Sequence, residues 1–322
     1  RLGIAARIAW DELAPGVGPF DPGNMLFFMV GPLTGTVASG AGRVVVAGIA
    51  PQQKPSVFSR SGVGGLWGAE LKYAGFDGVV IKGAASAPVY LWIEDGQAEL
   101  RDASDLWGRG TFATSTMLRQ RHGPTTRIRS CGPAGENLCR IACMQTETGN
   151  AAGQGGYGAV MGSKRLKAIA VRGTGGVPVA NPGRLMDLVL GANRDGMSYG
   201  RQDRSVSHPR GVDSPVPRRL KKCGFCAMDC ASYHYMGAPG QATSGGHNVH
   251  PFCYMYFQSP EARIESAALT GDLGLNGWET SFGVIAWLQM CKQQGLIDTL
   301  DGIDIPVPEK ELSGVWDIAP YP

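Results

Sequence analysis

Short runs of β-branched and aliphatic residues, separated by Gly and Pro, dominate the chain from Arg1 to about Gly173. Runs of this kind, bounded by turn residues, predict strands. The clearest are Val44–Ile49, Gly78–Gly83, Val89–Ile93, Thr126–Ser130 and Lys167–Arg172. We therefore expect this half of the chain to be mostly sheet.

Three local signals refine this prediction. Asp95-Gly96 separates Val89–Glu94 from Gln97–Arg101 and predicts a hairpin, because Asp-Gly tolerates the positive φ angles of a two-residue turn. Gly110–Arg121 is the clearest predicted helix of this half, and Arg1–Trp10 reads as an amphipathic helix already under way. Since no initiator Met or signal-peptide pattern precedes that helix, we expect the natural N-terminus to lie further upstream.

A Gly/Pro-rich segment, Gly173–Pro182, predicts a boundary between a β-rich domain (1–176) and a mainly helical domain (183–322). The fold class is therefore predicted to be α+β. In the second domain, Gly183–Asn193 and Ser281–Gln294 have helical periodicity, whereas Gly200–Pro217 and Gly237–Pro251 have none and are predicted to be loops.

Composition narrows the function classes. Charged residues make up 18% of the chain and the net charge is +3, so neither nucleic acid nor an anionic membrane surface is an expected partner. No apolar run reaches the roughly 18 residues of a membrane span. Glycine is unusually frequent, with 48 residues and no repeat period, which suggests backbone passing close to a ligand.

Three of the eight cysteines lie close together in Cys223-Gly-Phe-Cys226-Ala-Met-Asp-Cys230. Three thiolates at this spacing suit one face of an iron–sulfur cluster, whose fourth ligand is Cys253 or lies beyond Pro322. A zinc site and a chance grouping of thiols are the alternatives. The uneven spacing of the cysteines favours a metal site in a reducing, cytoplasmic setting over a disulfide framework. Cys131, Cys139 and Cys143 are predicted to be core residues.

Several glycine-rich stretches form a second group of candidate binding elements. Backbone amides in such loops can surround phosphates because glycine lacks the Cβ that would block their approach. None of them matches a dinucleotide or Walker fingerprint, and simple turns in a sheet protein are the alternative. The stretches are Gly31–Thr36, Ser39–Arg43, Ser59–Gly65, Gly132–Glu136 and Asn150–Lys164.

In their order along the chain, these motifs resemble the aldehyde ferredoxin oxidoreductase family. The resemblance covers most of residues 1–173 and resumes at the cysteine run and at Ser281–Ile297. The motifs that carry it are Gly31–Thr36, Gly42-Arg43, Glu70–Gly78, Arg101–Ser104, Gly132–Asn137, Gly158–Lys164 and Leu166–Gly173.

The resemblance implies a two-sheet base domain under a tungsten or molybdenum bis-pterin, with Mg²⁺ bridging the pterin phosphates and a [4Fe-4S] cluster nearby. It implies that Arg43 and Gly62 lie at the pterin and that Cys223, Cys226 and Cys230 are cluster ligands. It also implies anaerobic electron transfer to ferredoxin or to an iron–sulfur subunit, in an oligomer.

Four positions depart from the family pattern while still offering polar cofactor contacts. Arg60 stands where the family more often has Asn, Asn150 and Gln154 where it usually has Arg, and Asn276 where an Asp normally bonds a pterin.

Other motifs, Pro51–Lys54 and Gly64–Tyr73, look more like the catalytic subunit of class II benzoyl-CoA reductase. In that branch a cysteine after the cluster motif approaches the tungsten, and Cys253 is a candidate for that role. An ordinary buried cysteine is the alternative.

Three functions remain open from the sequence. The first is oxidation of an aldehyde or related small carbonyl compound, the second is reduction of an aryl-CoA ring, and the third is a non-catalytic iron–sulfur scaffold without pterins. Glu265, His250 and His247 are candidate proton donors or acceptors, because a carboxylate or imidazole must move protons beside the metal. Structural roles for these three side chains are the alternative.

Overall fold

The computed structural model of the chain describes residues 1–201, 218–220, 233–235, 243–244, 260–305 and 307. The strands are β1 (Leu26–Met29), β2 (Val44–Ala50), β3 (Val57–Val63), β4 (Gly78–Ile81), β5 (Val89–Glu94), β6 (Gln97–Asp102), β7 (Arg127–Cys131), β8 (Met144–Thr146), β9 (Ala151–Ala152), β10 (Leu166–Arg172), β11 (Arg218–Leu220), β12 (Tyr233–Tyr235), β13 (Thr243–Ser244), β14 (Thr299–Leu300) and β15 (Ile303–Asp304). The helices are α1 (Leu2–Glu12), α2 (Trp67–Tyr73), α3 (Thr111–His122), α4 (Pro133–Glu136), α5 (Tyr157–Ser163), α6 (Pro182–Arg201), α7 (Pro260–Leu273), a π-helix (Glu279–Ile285) and α8 (Ala286–Gln293).

Two sheets organise the first half of the chain. One is a four-stranded antiparallel sheet in the order β3-β2-β1-β4, and the other is six-stranded in the order β6-β5-β10-β7-β8-β9. The second sheet is mixed, because β10 runs parallel to β5 and antiparallel to β7. The α+β class and the two-sheet base are confirmed.

The main core lies between the two sheets. It combines side chains of both sheets with those of α2 and α5, and Trp67, Phe28, Tyr157 and Ile169 are fully buried within it. Helix α1 covers the outer face of the four-stranded sheet, and α3 covers the outer face of the six-stranded sheet. Because both faces of each sheet are covered, their strands are apolar runs more often than alternating ones.

The local predictions hold well in this half. Asp95 and Gly96 adopt φ angles of 40° and 85° between β5 and β6, as a two-residue hairpin turn requires. The helices predicted at Arg1–Trp10 and Gly110–Arg121 appear as α1 and α3 with shifts of one or two residues.

The second region is helical in α6, α7 and α8, but it also contains features that the sequence pattern missed. Most of the loops predicted at 200–217 and 237–251 lie outside the described residues, although 243–244 form β13 in a three-stranded sheet with β11 and β12. Such short strands carry no usable periodicity. The helix predicted over Ser281–Gln294 begins as a π-helix before continuing as α8. In the parts of the chain that the structure describes, no helix is long and apolar enough to cross a membrane.

The segment after α7 joins the two regions. Cys143 N–H donates to Gly274 O at 2.8 Å, and Asn276 N–H donates to Ile141 O at 3.0 Å. An isolated bridge between Ala142 and Leu275 completes this pairing. The predicted division at Gly173–Pro182 stays a prediction, since the second region is hydrogen-bonded directly to the first.

Candidate cofactor site

Arg43 and Gly62 meet where β2 pairs with β3. Val45 lies opposite Gly62 in this pair, and Arg43 Nη2 donates to Gly62 O at 3.1 Å. A Cβ added to Gly62 would lie 2.9 Å from that nitrogen, so glycine gives the guanidinium room to approach the backbone. Arg43 remains exposed, and its own carbonyl accepts a hydrogen bond from Arg1. The pairing therefore anchors an exposed positive charge beside the glycine-rich end of β3.

At Gly65, the glycine-rich segment that follows β3 packs against the turn that contains Asn150. The φ of Gly65, +94°, is a conformation that only glycine adopts easily, and an added Cβ would lie 3.2 Å from Thr148 Oγ1 and 3.3 Å from Asn150 Oδ1. Thr148 Oγ1 donates to Asn150 Oδ1 at 3.0 Å, and Asn150 N–H donates to Thr146 Oγ1 at 3.0 Å. These bonds hold Asn150, which is 8% exposed, against the glycine loop.

Gln154 follows Asn150 in the same loop. Its Oε1 accepts a hydrogen bond from Gln52 Nε2 at 3.0 Å, and Gln52 Oε1 accepts one from Gly155 N–H at 2.5 Å. A Cβ on Gly156, whose φ is +73°, would collide with Arg140 O. The structure thus brings together Arg43, Ser59–Gly65 and Asn150–Gly156, which we call the loop cradle.

The buried side chain of Tyr157 stabilises the loop cradle. Its hydroxyl donates to Ser59 O at 2.5 Å, and the ring is fully buried. Burial raises the pKa of Tyr157 to about 12, so the hydroxyl keeps its proton at neutral pH. Sequence reasoning missed Tyr157 as well as Gln52 as individual site residues. The only signal was their position inside glycine-rich or family-like motifs.

Asn276 reaches the same region from the second half of the chain. Its side chain is fully buried, and its Oδ1 accepts a hydrogen bond from Trp278 N–H at 3.0 Å. Its backbone bonds to Ile141, the neighbour of Arg140, which in turn donates to Pro51 O at 2.6 Å. Among the described residues, Asn276 Nδ2 has no hydrogen-bond partner. A buried amide donor of this kind is costly unless a ligand satisfies it.

Of the remaining candidate site residues, the structure describes only Arg60 and Glu265. Arg60 lies on β3 opposite Ala47, and its side chain is exposed. It is two residues from Gly62, so both positions share one face of the strand. Glu265 is exposed on α7, a helix that packs against α3, and its catalytic role stays a prediction. The other catalytic and metal candidates, His247, His250, Cys223, Cys226, Cys230 and Cys253, lie outside the described residues.

The three thiols of the first half differ in burial. Cys131 and Cys143 are fully buried, and burial raises the pKa of each thiol to about 12. Both are therefore protonated core residues, as predicted. The prediction of a core residue is wrong for Cys139, which is only half-buried and lies in the turn after α4 beside Leu138, a residue with a positive φ. In the described ranges, no three His, Cys, Asp or Glu side chains are grouped to hold a metal ion.

Fold and site together define a two-sheet base domain with a glycine-lined loop cradle. The chain belongs to the aldehyde ferredoxin oxidoreductase family, since residues 1–173 match the model of its N-terminal domain. Tungsten-containing aldehyde ferredoxin oxidoreductases of Pyrococcus horikoshii and Pyrococcus abyssi are 46% and 47% identical to it over 188 residues. That alignment covers 58% of this chain and 31% of each relative. The chain therefore spans about a third of the length of these curated relatives.

Two further comparisons widen the range of chemistry among similar proteins. The WOR-like subunit of an aliphatic sulfonate oxidoreductase from Pyrococcus furiosus is 36% identical over 213 residues, covering 58% of this chain and 32% of that protein. A solved structure, the active site complex BamBC of benzoyl coenzyme A reductase with 1,5-dienoyl-CoA, superposes with a TM-score of 0.80. It is 28% identical, and the match covers 92% of this chain and 52% of that chain.

Proposed function

We propose that the holoenzyme is a tungsten (or molybdenum) bis-pterin oxidoreductase that oxidises an aldehyde to a carboxylic acid. The aldehyde and one water yield the acid, two protons and two electrons, and the electrons leave through a [4Fe-4S] cluster to ferredoxin. The loop cradle carries this proposal, because it is assembled within the stretch that matches the family and that is 46% identical to a tungsten-containing aldehyde enzyme.

The residues of the loop cradle fit an elongated anionic cofactor. Arg43 offers an exposed guanidinium, and Gly62 and Gly65 remove side chains where phosphate groups would approach backbone amides. Asn276 Nδ2 is a buried donor that a pterin acceptor atom would satisfy. When bound, the metal would polarise the carbonyl group and accept the electrons.

The chain's own side chains would orient the cofactor and move the two protons. Arg60 and Gln154 are exposed at the loop cradle and are assigned cofactor contacts. Cys223, Cys226 and Cys230 are assigned to the cluster, with Cys253 or a later residue as fourth ligand. Glu265, His250 and His247 are assigned the proton transfers. Mg²⁺ would be held by phosphate oxygens of the bound cofactor, which are the hard oxygen ligands that this ion prefers.

A second candidate is the active-site subunit of a class II aryl-CoA reductase, supported by the likeness to BamBC over 92% of this chain. It keeps the same cofactors, takes electrons from partner subunits and reduces an aromatic ring. Aldehyde oxidation is the first candidate because the aldehyde enzymes are the more similar in sequence.

Metal analysis and pterin extraction of natively purified enzyme test both candidates. We expect tungsten or molybdenum with about two pterins per chain, together with viologen-linked oxidation of simple aldehydes. Bound metal with turnover of aryl-CoA thioesters alone would favour the reductase. Absence of metal and pterins would leave a non-catalytic iron–sulfur scaffold and overturn both candidates.

A further inference from the structure

Arg129 is a fully buried arginine whose guanidinium has no hydrogen-bond partner among the described residues. It lies on β7 between Thr146 of β8 and Ile169 of β10. None of its three guanidinium nitrogens has a hydrogen-bond partner in the described part of the chain. Its Cζ lies 4.5 Å from the centre of the Trp67 ring and 5.8 Å from that of Phe28.

This arrangement is poorly explained by stability. A buried charge without hydrogen bonds loses its hydration, and cation–π contacts with Trp67 and Phe28 recover only part of that loss. An apolar side chain of similar volume would fill the same space without the penalty. Burial lowers the pKa of Arg129 to about 9, which still leaves it charged at neutral pH. Arg129 therefore keeps its positive charge, although burying that charge lowers the stability of the fold.

The charge lies directly behind the loop cradle. Thr146, opposite Arg129 in the sheet, accepts the hydrogen bond that fixes Asn150. Trp67, whose ring receives the guanidinium, follows Gly65 by two residues and is anchored by an indole N–H bond to Ile169 O at 3.1 Å. One layer of side chains thus separates Arg129 from the Ser59–Gly65 and Asn150–Gly156 loops of the loop cradle.

Arg127 provides an internal comparison on the same face of β7. Its Nη1 lies 3.5 Å from Glu147 Oε1, and its side chain is 24% exposed. A nearby carboxylate and solvent therefore compensate the charge of Arg127. Glu147 also acts electrostatically on Arg129, but among the described residues no carboxylate lies within ion-pair distance of it. Because Arg129 is fully buried as well, its field is less screened than that of Arg127.

We propose that Arg129 is a fixed positive charge behind the loop cradle that raises the reduction potential of the metal centre bound there. It is a positioning residue that acts through its electric field and touches neither cofactor nor substrate. A positive charge in a low-dielectric interior stabilises the more negative, reduced state of a nearby redox group. The inference rests on the proposed function, since it requires a redox cofactor in the loop cradle.

The test is a redox titration of the holoenzyme, followed by the EPR signal of the metal, with unfolding of the apoprotein measured in parallel. We expect Arg129→Met to lower the midpoint potential while the apoprotein becomes no less stable. Arg129→Lys, which keeps a positive charge, should restore the potential at least in part. Arg127→Met is the matched control on the same strand and should shift the potential much less.

Several results would overturn the inference. These are an unchanged potential in Arg129→Met holoenzyme, or equal shifts in the Arg127→Met and Arg129→Met variants. Arg129→Gln is a second neutral variant in case Met packs badly, and failure of both to fold would assign Arg129 to the fold alone. Wild-type enzyme without metal and pterins would overturn the proposed function itself, which separates the two failures.

Discussion

The carboxylate of Asp272 in α7 accepts a hydrogen bond from the backbone N–H of Phe112, 2.8 Å away, in the first turn of α3. The N-cap of α3 is Gly110, which has no side chain to satisfy the first amides of the helix. A Cβ at Gly110 would collide with Asp272, so the glycine makes room for the distant carboxylate. Thr111 Oγ1 also donates to Gly271 O at 3.0 Å. Helix α7 is thus docked by capping α3.

Replacing Asp272 with Ala should remove this cap. Loss of an N-cap acceptor typically costs about 1 kcal/mol, and we expect a decrease of that size in the free energy of unfolding, measured in urea. Asp187→Ala, at an exposed position of α6, is the control and should change stability by less than about 0.5 kcal/mol. Equal losses in the two variants would show that Asp272 does not act as a cap.

Lys164 should make stability rise with pH in the alkaline range. Its side chain is 2% exposed, and its Nζ donates to Gly83 O at 2.9 Å and Pro22 O at 3.1 Å. Burial lowers the pKa of Lys164 from 10.5 to about 8. Between those values the unfolded chain binds more protons at this group than the folded chain, so stability increases with pH. The full pKa shift corresponds to about 3 kcal/mol in the free energy of unfolding.

The measurement is the free energy of unfolding at pH 8 and at pH 10, for wild type and for Lys164→Met. The variant should lack part of the alkaline gain that wild type shows, because no lysine titrates at this site. Lys82→Met is the control, since the Lys82 side chain is 56% exposed and pairs with Glu12 on the surface. Identical pH dependence in wild type and Lys164→Met would contradict the lowered pKa.

Gly156 should be much less tolerant of alanine than Gly16. The two glycines have similar φ angles, +73° and +78°, so the backbone strain of an alanine is nearly the same at both. They differ in the space available, because a Cβ at Gly156 would collide with Arg140 O and lie 2.8 Å from Pro51, whereas nothing lies within 4 Å at Gly16. We expect Gly156→Ala to lower pterin content and thermal stability well beyond Gly16→Ala. Equal effects of the two substitutions would show that backbone strain alone determines the loss.

The sequence predicts those parts of the fold that are encoded locally. The hairpin at Asp95-Gly96 depends on turn chemistry and the helix α1 on an amphipathic pattern, and both are encoded within a few residues. The contact between Arg43 and Gly62 is different. Both residues were expected at the cofactor, but their hydrogen bond depends on the register of β2 with β3. Periodicity alone does not give that register.

Other features have no local signal at all. Arg129 lies in a correctly predicted strand, yet the pattern of that strand does not reveal which arginine is buried against Trp67. Asp272 is 160 residues away in sequence from Phe112, the residue whose N–H it caps. The sequence around Gly110 therefore contains no signal for this cap. The π-helix Glu279–Ile285 likewise overlaps the start of the helix predicted over Ser281–Gln294, because a short π-helical segment barely changes the spacing of apolar residues.

Cys253 separates the two enzymatic candidates. A soft thiolate is a good ligand for a high-valent metal, and as a ligand it would occupy a coordination position that aldehyde oxidation needs for substrate or oxygen. For the aldehyde oxidase we therefore expect Cys253→Ala to keep metal, cluster absorbance and viologen-linked aldehyde oxidation largely unchanged. For an aryl-CoA reductase the same variant should lose ring reduction while the cluster stays intact. Cys226→Ser is the control for the cluster and should abolish its visible absorbance and reduced-state EPR signal. An enzyme that reduces aryl-CoA thioesters, ignores simple aldehydes and is inactivated by Cys253→Ala would refute the assignment as an aldehyde oxidase.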